Sequence, residues 1–219
     1  MRNNSSLNWL AAVVVLGSIL AIWFFTFPGL SNRDARIHTE IGRALAQEAI
    51  KLAGPKAKFT LLLRDPEAFP QPATSRALQG FHQELIQAGR GEASLQALQV
   101  DPLRPVQVPG GDFQELIRKG APGDVIVSLM GPPILTEEKR AALGIVKPKI
   151  VAFCPGGIAE QVDLRLLHDQ GLLHAAIISR LSTGPGALTP SARHDVFDDI
   201  YLRASTADLA NRASISSRP

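Results

Sequence analysis

Cysteine is almost missing from this chain: Cys154 stands alone among 219 residues. An intrachain disulfide is therefore excluded, and a cysteine-based metal knuckle with it. Aromatic residues are scarce, at 5%. Charge of one sign is not in large excess either, since the formal net charge is +3 and the basic residues are scattered. Binding to nucleic acid draws on a basic stripe and stacking aromatics, and the chain has neither. Neither Gly-x-Gly-x-x-Gly nor Gly-x-x-x-x-Gly-Lys-Ser/Thr follows any expected strand, which argues against a nucleotide cofactor; no other cofactor is implied. No Gly-x-Ser-x-Gly elbow occurs. The five histidines, His38, His82, His168, His174 and His194, show no metal-ligand spacing.

What the chain does have is one long apolar run, Trp9 to Phe27, free of charge and with only Ser18 and Thr26 polar. Coiled as a helix it spans roughly 28 Å, close to the hydrocarbon thickness of a bilayer. Trp9 stands at one end and Trp23 and Phe27 near the other, followed by Pro28-Gly29. Aromatic rings favour the membrane interface, where their apolar bodies and polar edges each find a matching medium. Bulky residues at the end of the run, with no Ala-x-Ala pattern, disfavour a cleaved signal peptide. The run is expected to be a single transmembrane anchor in the lipid bilayer. Its small residues Ala11, Ala12, Gly17, Ser18 and Ala21 would permit close approach of partner helices. Residues 1–30 are thus read as an anchor, 31–209 as a soluble domain and 210–219 as a flexible tail.

Arg33 and Arg36 after the run, against Arg2 before it, weigh slightly against a cytoplasmic N-terminus. The disparity in length weighs the other way, because eight residues precede the run and a whole domain follows it. An inner-membrane protein with a periplasmic domain is the expected arrangement.

The roughly 190 residues after the run suffice for one compact domain with a sizeable core. Ile37, Ile41, Leu45, Ala49 and Leu52 recur at helical spacing, so a helix is expected over Asp34–Ala53, capped by Ser31 or Asn32 and stopped by Gly54-Pro55. Short apolar strands follow in alternation with helices. The strands expected are Phe59–Leu63, Ser94–Val100 (an edge, given Gln96 and Gln99), Asp124–Met130, Lys149–Phe153, Leu172–Ser179 and Ile200–Leu202. Between them helices are expected at Ser75–Ala88, at a short segment capped by Asp112, at Thr136–Leu143 and at Asp163–Gln170. Each parallel crossover must return over a sheet face, so the pattern implies an α/β three-layer sandwich of Rossmann-like type. The expected sheet is mostly parallel, with five or six strands in the order 2-1-3-4-5 and the sixth at the edge.

The stretch GRALAQEAIKLAGPKAKFTLLLRD with FPQPATSRALQGFHQEL, Gly42 to Leu85, resembles one lobe of a type I periplasmic binding protein. The resemblance implies a strand ending at a ligand cleft. That family closes two lobes on its ligand, whereas this chain has residues for one.

Ligands of open α/β sheets bind beyond the carboxyl ends of the strands. Here those ends read Arg64-Asp65, Asp101-Pro102, Gly131-Pro132, Cys154-Pro155-Gly156-Gly157 and Ser179-Arg180. Arg64, Asp65, Gly131, Cys154, Gly156 and Gly157 are the candidate ligand-binding residues. Glycine lets backbone N–H groups approach a ligand, and arginine pairs with carboxylate or phosphate. The plainer reading is that Gly and Pro end strands. Cys154 is the best-placed nucleophile, though a lone Cys is commonly a small core residue. Asp198-Asp199 reads as a solvated turn, and the adjacent His194-Asp195 does not by itself form a dyad. No catalytic constellation emerges. The expected function is a non-catalytic accessory subunit that binds other membrane subunits in a larger complex, such as a respiratory or photosynthetic one. The alternative is a membrane-anchored solute-binding module, which would carry a small-molecule ligand.

Overall fold

The computed structural model describes residues 9, 13–18, 21, 32–100, 108–180 and 196–211. Helix α1 (Asn32–Leu52) leads into strand β1 (Phe59–Arg64), helix α2 (Pro72–Gln87) and strand β2 (Ser94–Leu98). Helix α3 (Gly110–Lys119), strand β3 (Val125–Ser128), helix α4 (Glu137–Ala141) and strand β4 (Lys149–Cys154) come next. Two short helices, α5 (Ile158–Gln161) and α6 (Leu164–Asp169), precede strand β5 (Ala175–Ser179). The chain closes with helix α7 (Val196–Ile200), strand β6 (Tyr201–Ala204) and helix α8 (Thr206–Asn211).

The six strands form one sheet in the order β2-β1-β3-β4-β5-β6. The first five are parallel, and β6 runs antiparallel to β5 through Ser179↔Tyr201 and Ala176↔Ala204. The α/β class, the mostly parallel sheet and the strand order agree with the sequence expectation. Near-continuous apolar strands signal burial on both faces, and β3 and β5 are buried at every position.

Alternation along the strands divides the core in two. Leu62, Ile126, Ile150, Cys154 and Ile178 point to one face, where Phe113 and Ile117 of α3 and Leu164 and Leu167 of α6 cover them. Leu61, Leu63, Val127, Val151 and Ile177 point to the other, beneath Ile41, Leu45 and Ala49 of α1 and Phe81 and Leu85 of α2. Of the parallel crossovers α2 reaches that second face, because every later one moves in the opposite direction; α7 adds Phe197 there. Helix α1, which packs on β3, β4 and β5, therefore closes it. It does so in tight contact with α2. A Cβ on Gly42 would lie 1.8 Å from the Ala77 carbonyl oxygen, and one on Gly80 would lie 2.1 Å from that of Thr39.

Several local expectations shift. Asn32 and Asp112 lie inside helices rather than capping them; α3 starts at Gly110 with Pro109 at its N-cap, which puts Asp112 in the first turn, where a carboxylate offsets the helix dipole. Strand β3 stops at Ser128 instead of Met130, since the Met130 N–H turns back to Ser128 Oγ (3.2 Å) and Gly131 takes φ +93°. Asp198 and Asp199 belong to α7, not to a turn. The last helix runs two residues into the segment read as a tail, anchored by fully buried Leu209 and by Asp208, which accepts from the Ser205 backbone N–H (2.9 Å).

Of the apolar run, 9, 13–18 and 21 are described: they are helical, and Trp9 and Val13 to Leu16 are exposed instead of packed on the core. Ser18 Oγ donates to the Val14 carbonyl (2.8 Å), and Gly17 has open space around it. Trp23 and Phe27 lie outside the described residues. Among the described residues no helix is long and apolar enough to cross a membrane.

Candidate functional site

The carboxyl rim of the sheet is where the expected residues gather, and the fold divides them. At the end of β1 the Arg64 guanidinium lies over the Phe69 ring, 3.5 Å from its centroid. Its Nε is buried without a hydrogen-bond partner. Asp65 is occupied in its own loop: Oδ1 accepts from the Glu67 N–H (3.0 Å) and Oδ2 from Gln99 Nε2 (3.4 Å). Cys154, at the end of β4, is completely buried among apolar neighbours beneath the rim. A buried thiol in such surroundings is disfavoured as a thiolate. Gly156 turns with φ +55°, and Gly157 stands at the N-cap of α5. Asp101-Pro102 lies outside the described residues.

Gly131 lines a cavity of about 390 Å³ between the β3–α4 loop and the α5–α6 segment. Met130, Leu135, Ile158 and Leu167 form its apolar walls, with Arg140 and Asp163 among the lining. A Cβ at Gly131 would meet Ile158 Cδ1 at 3.6 Å, an ordinary contact, so it is the left-handed backbone of the turn that favours glycine. Arg140 Nη1 donates to Gln170 Oε1 (3.1 Å), while its Nε is buried and unpartnered. Asp163 caps α6 by accepting from the Leu166 N–H (2.9 Å). Ile134 and Leu166 stand 40% and 45% exposed on the lips. Sequence reading missed Arg140, Ile134 and Leu166. A signal was present in Leu164, Leu166 and Leu167: three apolar residues within one six-residue helix cannot all face inward.

A larger groove, about 870 Å³, opens between the first halves of α1 and α2 beside Phe197. Arg33, Arg36, Arg43 and Arg76 line it, with Glu40. Arg43 is held by Glu40 and by Glu84 (Nε to Oε2 3.5 Å). Arg76 Nη1 donates to Gln79 Oε1 (3.1 Å). Partial burial on α1 holds the His38 pKa below its ordinary value, against an opposing pull from Asp34. The groove lies at the same end of the domain as the carboxyl rim. Helix α1 finishes at the opposite rim, where the Gly54 N–H donates to the Gly123 carbonyl (3.1 Å) just before β3. Phe197, four residues before the Ser179↔Tyr201 pair at the end of β5, marks the carboxyl side.

Among the described residues no group of three His, Cys, Asp or Glu side chains is placed to hold a metal ion. No protein-family model matches the chain, and no curated protein matches it.

Proposed function

We propose that this chain is a membrane-anchored, non-catalytic accessory subunit. Its Trp9–Phe27 segment sits in the inner membrane against partner helices, and its α/β domain stands on the periplasmic face of a larger complex. The observation that carries this reading is how the rim spends its reactive side chains. Arg64 is stacked on Phe69, Asp65 closes its own loop, and Cys154 is sealed in the core. Such groups serve the fold, which fits a domain that presents surface more than chemistry. The exposed apolar side chains of Val13 to Leu16 fit a helix whose neighbours are lipid or other helices. Because α1 follows the anchor segment and begins at the carboxyl rim, that rim faces the bilayer in this arrangement. Gentle detergent extraction through a C-terminal tag, with mass spectrometry of what accompanies the chain, tests it. Stoichiometric membrane subunits are the expected result; a lone monomer refutes it. Protease added to intact spheroplasts should cut the domain, and its survival there would reverse the orientation.

A second reading is favoured by the cavity at Gly131, whose volume falls within the range of small-ligand sites. There the domain is a solute-binding lobe, similar to one half of a type I periplasmic binding protein and completed by a second copy. A ligand at a hundredfold its dissociation constant adds about 2.7 kcal/mol of stability. A thermal-shift screen of amino acids, small acids and sugars should then yield a clear hit, and a flat screen counts against this reading.

A further inference from the structure

The four-arginine groove is the most strongly charged concavity among the described residues, and the chain's own layout places it. Helix α1 starts at Asn32, five residues after Phe27. Five extended residues reach at most about 18 Å. If Trp9–Phe27 is in the bilayer, the end of the groove at Asn32 and Arg33 lies within about that reach of the headgroup layer. We infer that the groove formed by Arg33, Arg36 and Arg76 around Arg43 seats the phosphate groups of anionic phospholipids and so sets how the domain stands on the membrane. This inference rests on the membrane-anchored reading.

The charges support it. Glu40 and Glu84 both serve Arg43, which leaves Asp34 as the nearby carboxylate on α1 against Arg33, Arg36 and Arg76. Arg33, Arg36 and Arg76 are exposed, so their guanidinium heads reach a partner without losing a buried bond. Guanidinium groups suit phosphate because their planar donors match its oxygens in pairs. Lipid fits better than an acidic protein because of the tether. The anchor holds headgroups beside the groove at high effective concentration whenever the chain is in the bilayer, whether or not a subunit with an acidic surface lies against this face. Each basic side chain near an anionic surface strengthens attraction about fivefold, so losing three weakens it about a hundredfold.

The full-length chain reconstituted into nanodiscs provides the test, with zwitterionic lipid alone compared with the same lipid containing phosphatidylglycerol. Amide hydrogen exchange over 32–43 and 72–80 is the readout. Exchange should slow several-fold in the anionic discs, and the protection should vanish at high salt and in the Arg33→Gln/Arg36→Gln/Arg76→Gln variant. Exchange through the β1 and β3 segments, unchanged in that variant, would show that the domain remains folded. Equal exchange in both lipids, with the chain still in the discs, overturns the headgroup site and leaves the anchor reading standing. A chain recovered free of lipid from both kinds of disc overturns the anchor reading itself. Protection that appears in zwitterionic discs only when a co-purified subunit is present assigns the groove to an acidic protein and also overturns the proposal.

Discussion

Replacing Gly80 with alanine should be among the most damaging single-methyl changes in this domain. The added carbon would lie 2.1 Å from the Thr39 carbonyl oxygen and 3.1 Å from Thr39 Cγ2. The obstacle is main chain, which no rotamer change can clear, so α1 and α2 must separate by about 1 Å, to ordinary contact distance. A gap of that size forfeits a quarter to a half of each dispersion contact across it. Buried Leu45, Phe81 and Leu85 lie in the same cluster as this crossing. Each buried side chain makes some 40–60 contacts worth about 0.1–0.2 kcal/mol apiece, so two of them forfeit about 4 kcal/mol before relaxation. Relaxation recovers part of this, and alanine returns about 1 kcal/mol of helix propensity. The net loss expected is about 2–3 kcal/mol. Urea unfolding of the full-length chain in detergent, followed by far-ultraviolet circular dichroism, should show a midpoint about 1 M lower. Gly144→Ala is the control, because a methyl group added there would meet nothing within 4 Å and its φ is not positive. If Gly80→Ala unfolds at the same midpoint as Gly144→Ala, the close-packed crossing is wrong.

Two further outcomes follow from half-buried polar groups. Burial, reinforced by Lys149, His168 and Lys147, holds the His174 pKa down to about 4, and its Nδ1 accepts from the Ile150 N–H (3.2 Å). The unfolded chain therefore binds the proton more readily between about pH 6.5 and 4, and stability should fall as pH drops through that window. Allowing for the partial exposure of the ring, the loss is about 2 kcal/mol; His174→Asn, which keeps an acceptor and cannot titrate, should flatten this part of the profile, and an unchanged slope would assign it elsewhere. Asp124 accepts from two backbone N–H groups, those of Lys58 and Ala121, both at 2.9 Å. Asp124→Ala should cost about 1–2 kcal/mol by removing two hydrogen bonds whose exposed donors turn to water, and a loss under about 0.5 kcal/mol in denaturant titration would show that water replaces the carboxylate freely.

The sequence by itself determined the six strands, the longer helices and their order, but not the short helices α5, α7 and α8. The stretches Leu61–Leu63 and Val125–Val127 are continuously apolar, the pattern of strands covered on both faces. The α1 stripe from Ile41 to Ala49 repeats at helical spacing. These are local signals, carried by neighbouring residues, and right-handed crossovers turn them into a sheet with few alternatives. The rim turns were legible for the same reason, through their Gly and Pro. What the side chains do there was not. Arg64 finds Phe69 five residues on, and Asp65 meets Gln99 from beyond β2. The cavity joins Gly131 to Ile158 and Leu166, and the basic groove joins Arg33 and Arg36 of α1 to Arg76 of α2. Those partners lie tens of residues apart, and the spacing of residues along one element carries no information about which other element will lie against it. Likewise, Gly42 and Gly80 look like weak points within helices until two backbones meet there. Only the tertiary structure, by setting helix α1 across the sheet face that the crossovers leave uncovered, decided where the charges converge and which glycines the fold cannot lose.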